Sequence, residues 1–326
     1  MRGWRRWRVA AGLLCALAAA PATAARAPDP AAPGPERPPR ENEGRRLGGH
    51  TFLLSEFLPN PFITTELSSI TSLGLAFLHV PIAGTASVST YDLAAFSQAA
   101  QLQLGFADVF ALRFGAAANA ESGTTPDAAL VAGAMLGYAF GGGAALSGRV
   151  GRLRLTASFD VRRRNDYDFD IADAIQRSAA AGTVTTATLL VNTATLSYRP
   201  GVQLAFALGP ASGIIAHVRF DHDSASTAAT ASVAATSTTL DAVEAGAALS
   251  IDLRAASLVP VGLLFSYNRV SVIHGDGSSH QAGAGLFYTG RYHLSVGLEV
   301  RGRFQSLAAG TDETTVEGVL AVRYFW

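Results

Sequence analysis

The chain has 326 residues, 49% of them hydrophobic and 15% charged, and its 25 basic side chains balance its 25 acidic ones. Every basic residue is arginine and the one cysteine, Cys15, lies near the N-terminus, so the rest of the chain holds no disulfide, thiol nucleophile or thiolate metal site. A nucleic-acid binder is disfavoured as well, because residues 1–49 carry 9 arginines against 4 acids whereas residues 50–326 carry 16 against 21, a deficit of 5.

The first element reads as an export signal. Arg2, Arg5, Arg6 and Arg8 precede an almost wholly apolar run from Val9 to Ala20, and Ala22-Thr23-Ala24 supplies small residues for cleavage after Ala24. The apolar run is about a dozen residues, short of the roughly 20 that a membrane-crossing helix needs. Leu14 before Cys15 lacks the small side chain that a lipid-anchor signal places there. Residues 25–49 are rich in proline, glycine and charge and read as a disordered periplasmic leader. His50 to Phe62 brings Phe52, Leu53, Leu54, Phe57 and Leu58 together ahead of Pro59-Asn60-Pro61. This segment is expected to be either a packed lead-in to the first strand or a plug entering a lumen.

From Ile63 onward hydrophobicity alternates with period two, the strand signal. In Arg152 to Arg162 every odd position is apolar and every even one polar; Glu244 to Arg254 follows the same rule with Gly246 and Ala248 as small inward members, and His293 to Phe304 alternates likewise with its apolar residues at even positions. Twelve strands are predicted near residues 67–80, 94–105, 108–119, 129–140, 149–163, 188–207, 212–222, 241–254, 259–270, 280–289, 292–305 and 314–326. Longer connections (Pro81 to Leu93, Ala120 to Ala128, Arg164 to Ala187, Asp223 to Leu240, Ser271 to Ser279, Ser306 to Glu313) alternate with tighter ones, among them Phe106-Ala107, Gly141 to Gly148 and Gly290-Arg291. Alternation alone also suits a soluble sandwich, but long and short connections in turn, with an even strand count, suit a membrane barrel with both ends on the periplasmic side. Aromatics at Phe106, Phe110, Tyr138, Phe140, Phe206, Tyr288, Tyr292, Tyr324 and Trp326 are expected at the periplasmic interface.

The last strand, Thr314 to Trp326, sets Val316, Gly318, Leu320, Val322, Tyr324 and Trp326 on one face and finishes on an aromatic ring. It resembles the terminal strand of Gram-negative outer-membrane β-barrel proteins. The resemblance covers roughly residues 63–326. It implies an all-β, antiparallel up-and-down transmembrane barrel of about 12 strands, an outer-membrane location among lipid and lipopolysaccharide, and Tyr324 and Trp326 as an assembly signal for the barrel-assembly machinery.

Lumen-lining candidates follow from the polar parity: Arg113, Arg152, Arg154, Asp160, Arg199, Arg219, Asp221, Glu244, Asp252, Arg254, Glu299, Arg301, Arg303 and Glu317. Pairing is expected between Arg219 or Asp221 and Asp252 or Arg254, and between Arg301 or Arg303 and Glu317. Such charges serve either as a wall-stabilising ladder or as a polar path for small hydrophilic solutes in which arginine-rich bands favour anions. The function expected is therefore a narrow passive channel or porin without cofactor. One alternative is a structural or adhesive barrel with binding outer loops. A second, a hydrolase at the rim, draws on His217, His222, His274 and His280, but no nucleophile motif accompanies them. Carboxylates at alternate positions from Asp166 to Asp173 lack the glycine and glutamate of a helix-loop-helix calcium loop and read as strand rim. The neighbouring Arg162-Arg163-Arg164 run suits lipopolysaccharide phosphates.

Overall fold

The structure is a computed structural model, and it describes residues 44–81, 88–169, 191–227, 235–255, 257, 259–273, 277–306 and 311–326. The signal and most of the leader, His274, Asp276 and the carboxylates beyond Phe169 lie outside these residues. A two-stranded hairpin, β1 (Arg46–Leu47) and β2 (His50–Thr51), precedes twelve long strands. These are β3 (Glu66–Pro81), β4 (Val88–Phe106), β5 (Phe110–Gly123), β6 (Ala134–Val150), β7 (Leu153–Phe169), β8 (Val191–Gly209), β9 (Ser212–Thr227), β10 (Thr236–Asp252), β11 (Val261–Val272), β12 (Ser278–Tyr288), β13 (Leu294–Ser306) and β14 (Asp312–Phe325). Each pairs with its chain neighbours, and β14 closes on β3 from Asp312↔His79 to Phe325↔Glu66, so that the sheet is a closed antiparallel barrel without an edge.

The alternation has the consequence that a closed sheet gives it. On β14, Val316, Leu320, Val322, Tyr324 and Trp326 are exposed on the outside, while Thr315, Val319, Ala321, Arg323 and Phe325 are buried inside. Leu73, Phe114, Phe159, Val202, Val218, Phe265, Leu286 and Val300 continue the exposed apolar belt round the barrel. A water-soluble protein does not leave so continuous an apolar surface uncovered, whereas lipid contact requires it. One end of the barrel, the turn end, carries the connection between β6 and β7 at Gly151-Arg152 and that between β8 and β9 at Pro210-Ala211. At the other, the loop end, the connection between β5 and β6 includes helix α1 (Pro126–Ala132), capped by the Thr125 hydroxyl.

Two local differences from the expected pattern have physical causes. The glycines at 141–143, read as part of a turn, lie inside β6, and the turn comes at Gly151, whose φ is 60°. A Cβ at Gly141 would stand 2.5 Å from the Val161 carbonyl oxygen, and one at Gly143 would overlap the Asp160 carboxylate. These glycines make room for the large polar residues of β7, and Tyr138 and Phe140 consequently sit in the loop half of the barrel, not at the periplasmic interface. Residues 44–49, expected to be disordered with the rest of the leader, are ordered: Gly48 and Gly49, at φ 57° and 85°, form the two-residue turn of the β1–β2 hairpin, and Leu47 is fully buried.

Candidate functional site: a plugged lumen

Inward positions change character along the barrel. At the turn end Ala205, Ala207, Ile215, Ala248, Leu264, Phe287 and Phe325 are buried inside the wall, and the N-terminal segment 44–65 fills the space between them with Leu47, Phe52, Leu53, Leu54, Leu58 and Phe62. Residues 50–62, expected to be either a packed lead-in or a plug, thus pack inside the wall in the position of a plug. Phe52 packs on Phe62 at 5.0 Å between ring centroids and on His50 at 4.6 Å. Gly213 and Gly262 permit the fit, since a Cβ at Gly213 would run into the Phe52 ring and one at Gly262 would come within 2.6 Å of Leu53. Each large apolar side chain buried here contributes about 1.5–3 kcal/mol.

Polar contacts tie the plug to the wall around the circumference. Arg323 of β14 donates to both carboxylate oxygens of Glu56, at 2.8 and 3.1 Å, and to Glu66 at 3.3 Å. Glu66 also accepts from Asn60 at 3.2 Å and from Thr64 at 2.9 Å. Gln103 of β4 donates to the carbonyls of Phe62 and Thr64, each at 2.9 Å, and Arg113 of β5 donates to the Asn60 carbonyl at 2.7 Å. On the far side the Leu53 amide donates to Ser250 Oγ of β10 at 2.9 Å, and His50 contacts the same hydroxyl through Nε2 at 3.0 Å. His50 Nδ1 lies 3.3 Å from the Pro210 carbonyl, which can only accept. The neutral ring therefore carries its proton on Nδ1 and accepts from Ser250 through Nε2. Burial, with Arg45 nearby, lowers the His50 pKa to about 4 from its ordinary 6.5. Burial also lowers Arg45 to about 10, against the opposing pull of Asp252 and Glu66, and its guanidinium donates to the Phe52 carbonyl at 2.9 Å.

The residues predicted to line the lumen divide into three groups. Arg113, Asp160, Arg199, Arg219, Asp221 and Glu244 occupy the inner wall from β5 to β10. There Arg219 bridges Asp221 at 2.9 Å and the Glu244 carboxylate, and His217 lies 3.2 Å from Glu244. Glu299, Arg301, Arg303 and Glu317 occupy β13 and β14, where Arg301 pairs with Glu317 at 3.1 Å, Arg303 with Glu313 at 2.7 Å, and Glu299 faces Ser55 of the plug at 3.5 Å. The third group belongs to the turn end. Arg152 is exposed in the β6–β7 turn with its methylenes beside Gly48, and Arg254, in a 3₁₀ turn, donates to the Thr289 carbonyl at 2.9 Å and covers the Tyr292 ring. Neither lines the lumen, because the chain has left the wall at both positions. Arg154 is buried beneath the plug against Phe62 and pairs with Asp108 at 2.7 Å. That pair holds the β4–β5 turn, where Ala107 and Asp108 both take positive φ.

The expected pairing of Arg219 or Asp221 with Asp252 or Arg254 does not form. The antiparallel register sets Arg219 opposite Glu244, while Asp252 lies at the turn end of β10 and accepts from the Arg254 amide at 3.1 Å. Sequence reasoning missed Arg45, His50, Glu56, Glu66 and Asp108. The signal for them was present in the apolar inward positions of the turn half, which have nothing to bury against unless something occupies the lumen. Tyr324 and Trp326 point outward and stack at 5.8 Å.

On the loop side of the plug lies a cavity of about 480 Å³ whose floor is Glu56 to Asn60 and whose wall includes Arg113, Asp160, Arg162, Arg199, Arg219 and Arg301. A smaller cavity of about 330 Å³ lies on the turn side, between Gly44 to Arg46 and Tyr292, Phe325 and Trp326.

No family model matches the chain, and no curated protein does. Solved structures do. The β domain of the Bordetella autotransporter BrkA superposes with a TM-score of 0.52 at 11% identity, covering 80% of this chain and 100% of its own. The translocator domain of the autotransporter NalP from Neisseria meningitidis gives 0.48 at 12%, covering 80% and 89%. The P. putida toluene transporter TodX gives 0.37 at 10%, covering 83% and 91%. With twelve strands closed into one antiparallel cylinder, an apolar exterior and a polar interior, this chain has the fold of the outer-membrane β-barrels.

Proposed function

We propose that the protein is a narrow passive channel of the outer membrane for small hydrophilic solutes, shut in this structure by residues 44–65. The turn end then faces the periplasm, Tyr324 and Trp326 are the contact for the barrel-assembly machinery, and the exposed belt meets lipid and lipopolysaccharide. The observation that carries the reading is the charged cavity of about 480 Å³ directly above the plug. A barrel needed only as an anchor has no use for buried ion pairs at mid-height, which gain little over apolar packing. Twelve strands enclose a narrow lumen, so that one short segment is enough to close it.

Planar-bilayer recording on refolded protein tests the proposal. The intact chain is expected to show rare, discrete openings, and a chain lacking residues 44–62 frequent ones whose size falls when Arg301 and Arg303 are replaced by alanine. A barrel that stays silent in both forms refutes it. The contacts of the plug with so many strands favour a second reading, a structural or adhesive barrel, for which a silent barrel with loop-dependent binding intact would speak. The rim-hydrolase reading has less support: His217 is buried beside Glu244, and His222 pairs with Asp241 at 2.6 Å on the outer surface.

A further inference from the structure

Arginines gather on one side of the cavity in excess of the carboxylates among them. Arg113 of β5, Arg162 of β7, Arg199 of β8 and Arg219 of β9 all line it. Three carboxylates answer these four. Asp160 lies 3.9 Å from Arg113, Asp221 lies 2.9 Å from Arg219 and 3.6 Å from Arg199, and Glu244 takes the other face of Arg219. Arg162 is left over: among the described residues no carboxylate stands within 4.0 Å of it. The charges that bear on it are Arg199, Arg164 and Arg219 against Asp166, and Asp166 is itself engaged by Arg164 at 2.7 Å. Nε of Arg199 is buried without a hydrogen bond, the Asp221 carboxylate standing 3.6 Å from it. Register makes the cluster compact, because Asp160 faces Arg199 directly, Arg162 is two residues along the same strand, and Gly201 stands opposite Arg219. Gly141 and Gly143, across from Arg162 and Asp160, keep the neighbouring wall free of side chains.

A guanidinium is a planar fork of donors that matches a carboxylate or phosphate, and grouped guanidinia repel one another until an anion joins them. The cavity is of a size that holds a small organic molecule, and its floor offers the apolar surfaces of Phe57, Leu58 and Pro59 to the body of one. We infer that this sector binds a small organic oxyanion, a phosphate monoester or a carboxylate, with its charged group on Arg162 and Arg199 and its body over Phe57. The inference deepens the solute-route reading and rests on it for its meaning in the cell.

Equilibrium titration tests it separately from conduction. The refolded full chain in zwitterionic detergent is titrated by calorimetry with inorganic phosphate and, in a second series, with malonate. One saturable site is expected for at least one of them, weakened tenfold or more in Arg162→Gln and unchanged in Arg149→Gln, an exposed arginine at the turn end. Preference for phosphate identifies a phosphorylated solute, and preference for malonate a carboxylated one. Absence of saturable binding by both anions to the unaltered chain overturns the inference, as does undiminished binding by Arg162→Gln. The unaltered chain decides alone if that variant does not refold. Binding retained by a barrel that never conducts sinks the channel reading and leaves the site standing.

Discussion

Acidification should release the plug, and His50 sets the size of the effect. In the docked segment its pKa is about 4, and in water it returns to 6.5, so the released state binds the proton more readily. Docking is then independent of pH above about 6.5, weakens as pH falls from there to about 4, and changes no further below, the sign for a group whose native pKa is depressed. At pH 5 the loss is about 2 kcal/mol, a shift of roughly thirtyfold toward release, and at the acid limit about 3 kcal/mol. Arg45 beside the ring adds to the cost of a second positive charge, while Asp252 and Glu66 face Arg45. The assay is open probability in planar bilayers between pH 7 and pH 5, compared with His50→Gln, which cannot take up the proton. The unaltered chain should open more often at pH 5, and the variant should respond little. Equal pH responses in the two would refute the reasoning, because some other group would then be titrating.

Other perturbations bear on the same architecture. Phe52→Ala removes a fully buried ring and should weaken docking by about 3–5 kcal/mol, giving at neutral pH the open probability that the unaltered chain shows only in acid. Arg323→Gln strands the carboxylates of Glu56 and Glu66 inside the barrel, a cost of about 3–5 kcal/mol that thermal melting in detergent should register as a lower transition temperature. Leu320→Arg puts a charge on the exposed face midway along β14 and should cost about 2–4 kcal/mol in reversible folding into lipid vesicles. Gly143→Val drives a side chain into Asp160, and refolding yield should drop while Gly148→Val, with open space around its Cβ, refolds normally.

Much of the barrel was readable from residue order because a strand's side chains alternate by local geometry alone. Eleven of the twelve strands were placed within about six residues of their observed ends, the exception being β6, which runs on to Val150, and the inner face of β14 was legible from Glu317 and Arg323. Where reading failed, the deciding partner was distant in sequence. Gly141 to Gly143 look like a turn until β7 is laid beside them, and only Asp160 and Val161 reveal why they are glycines. Arg154 looked like a lumen residue by parity, yet Asp108, 46 positions earlier, claims it for a turn.

Order along the chain thus determined the strand period, the face each residue takes and the apolar exterior, since each depends on neighbours one or two positions away. Tertiary structure alone decided that Arg219 pairs with Glu244, that the β6–β7 turn falls at Gly151, and that residues 44–65 pack inside the cylinder. Those outcomes depend on ring closure, which brings Arg323 to Glu56 across 267 positions and Ser250 to His50 across 200. A single strand carries no record of what stands at the centre of the cylinder, and the apolar side chains at Ile215, Leu264 and Phe287 find their purpose only when the cylinder is closed around Phe52 and Leu53.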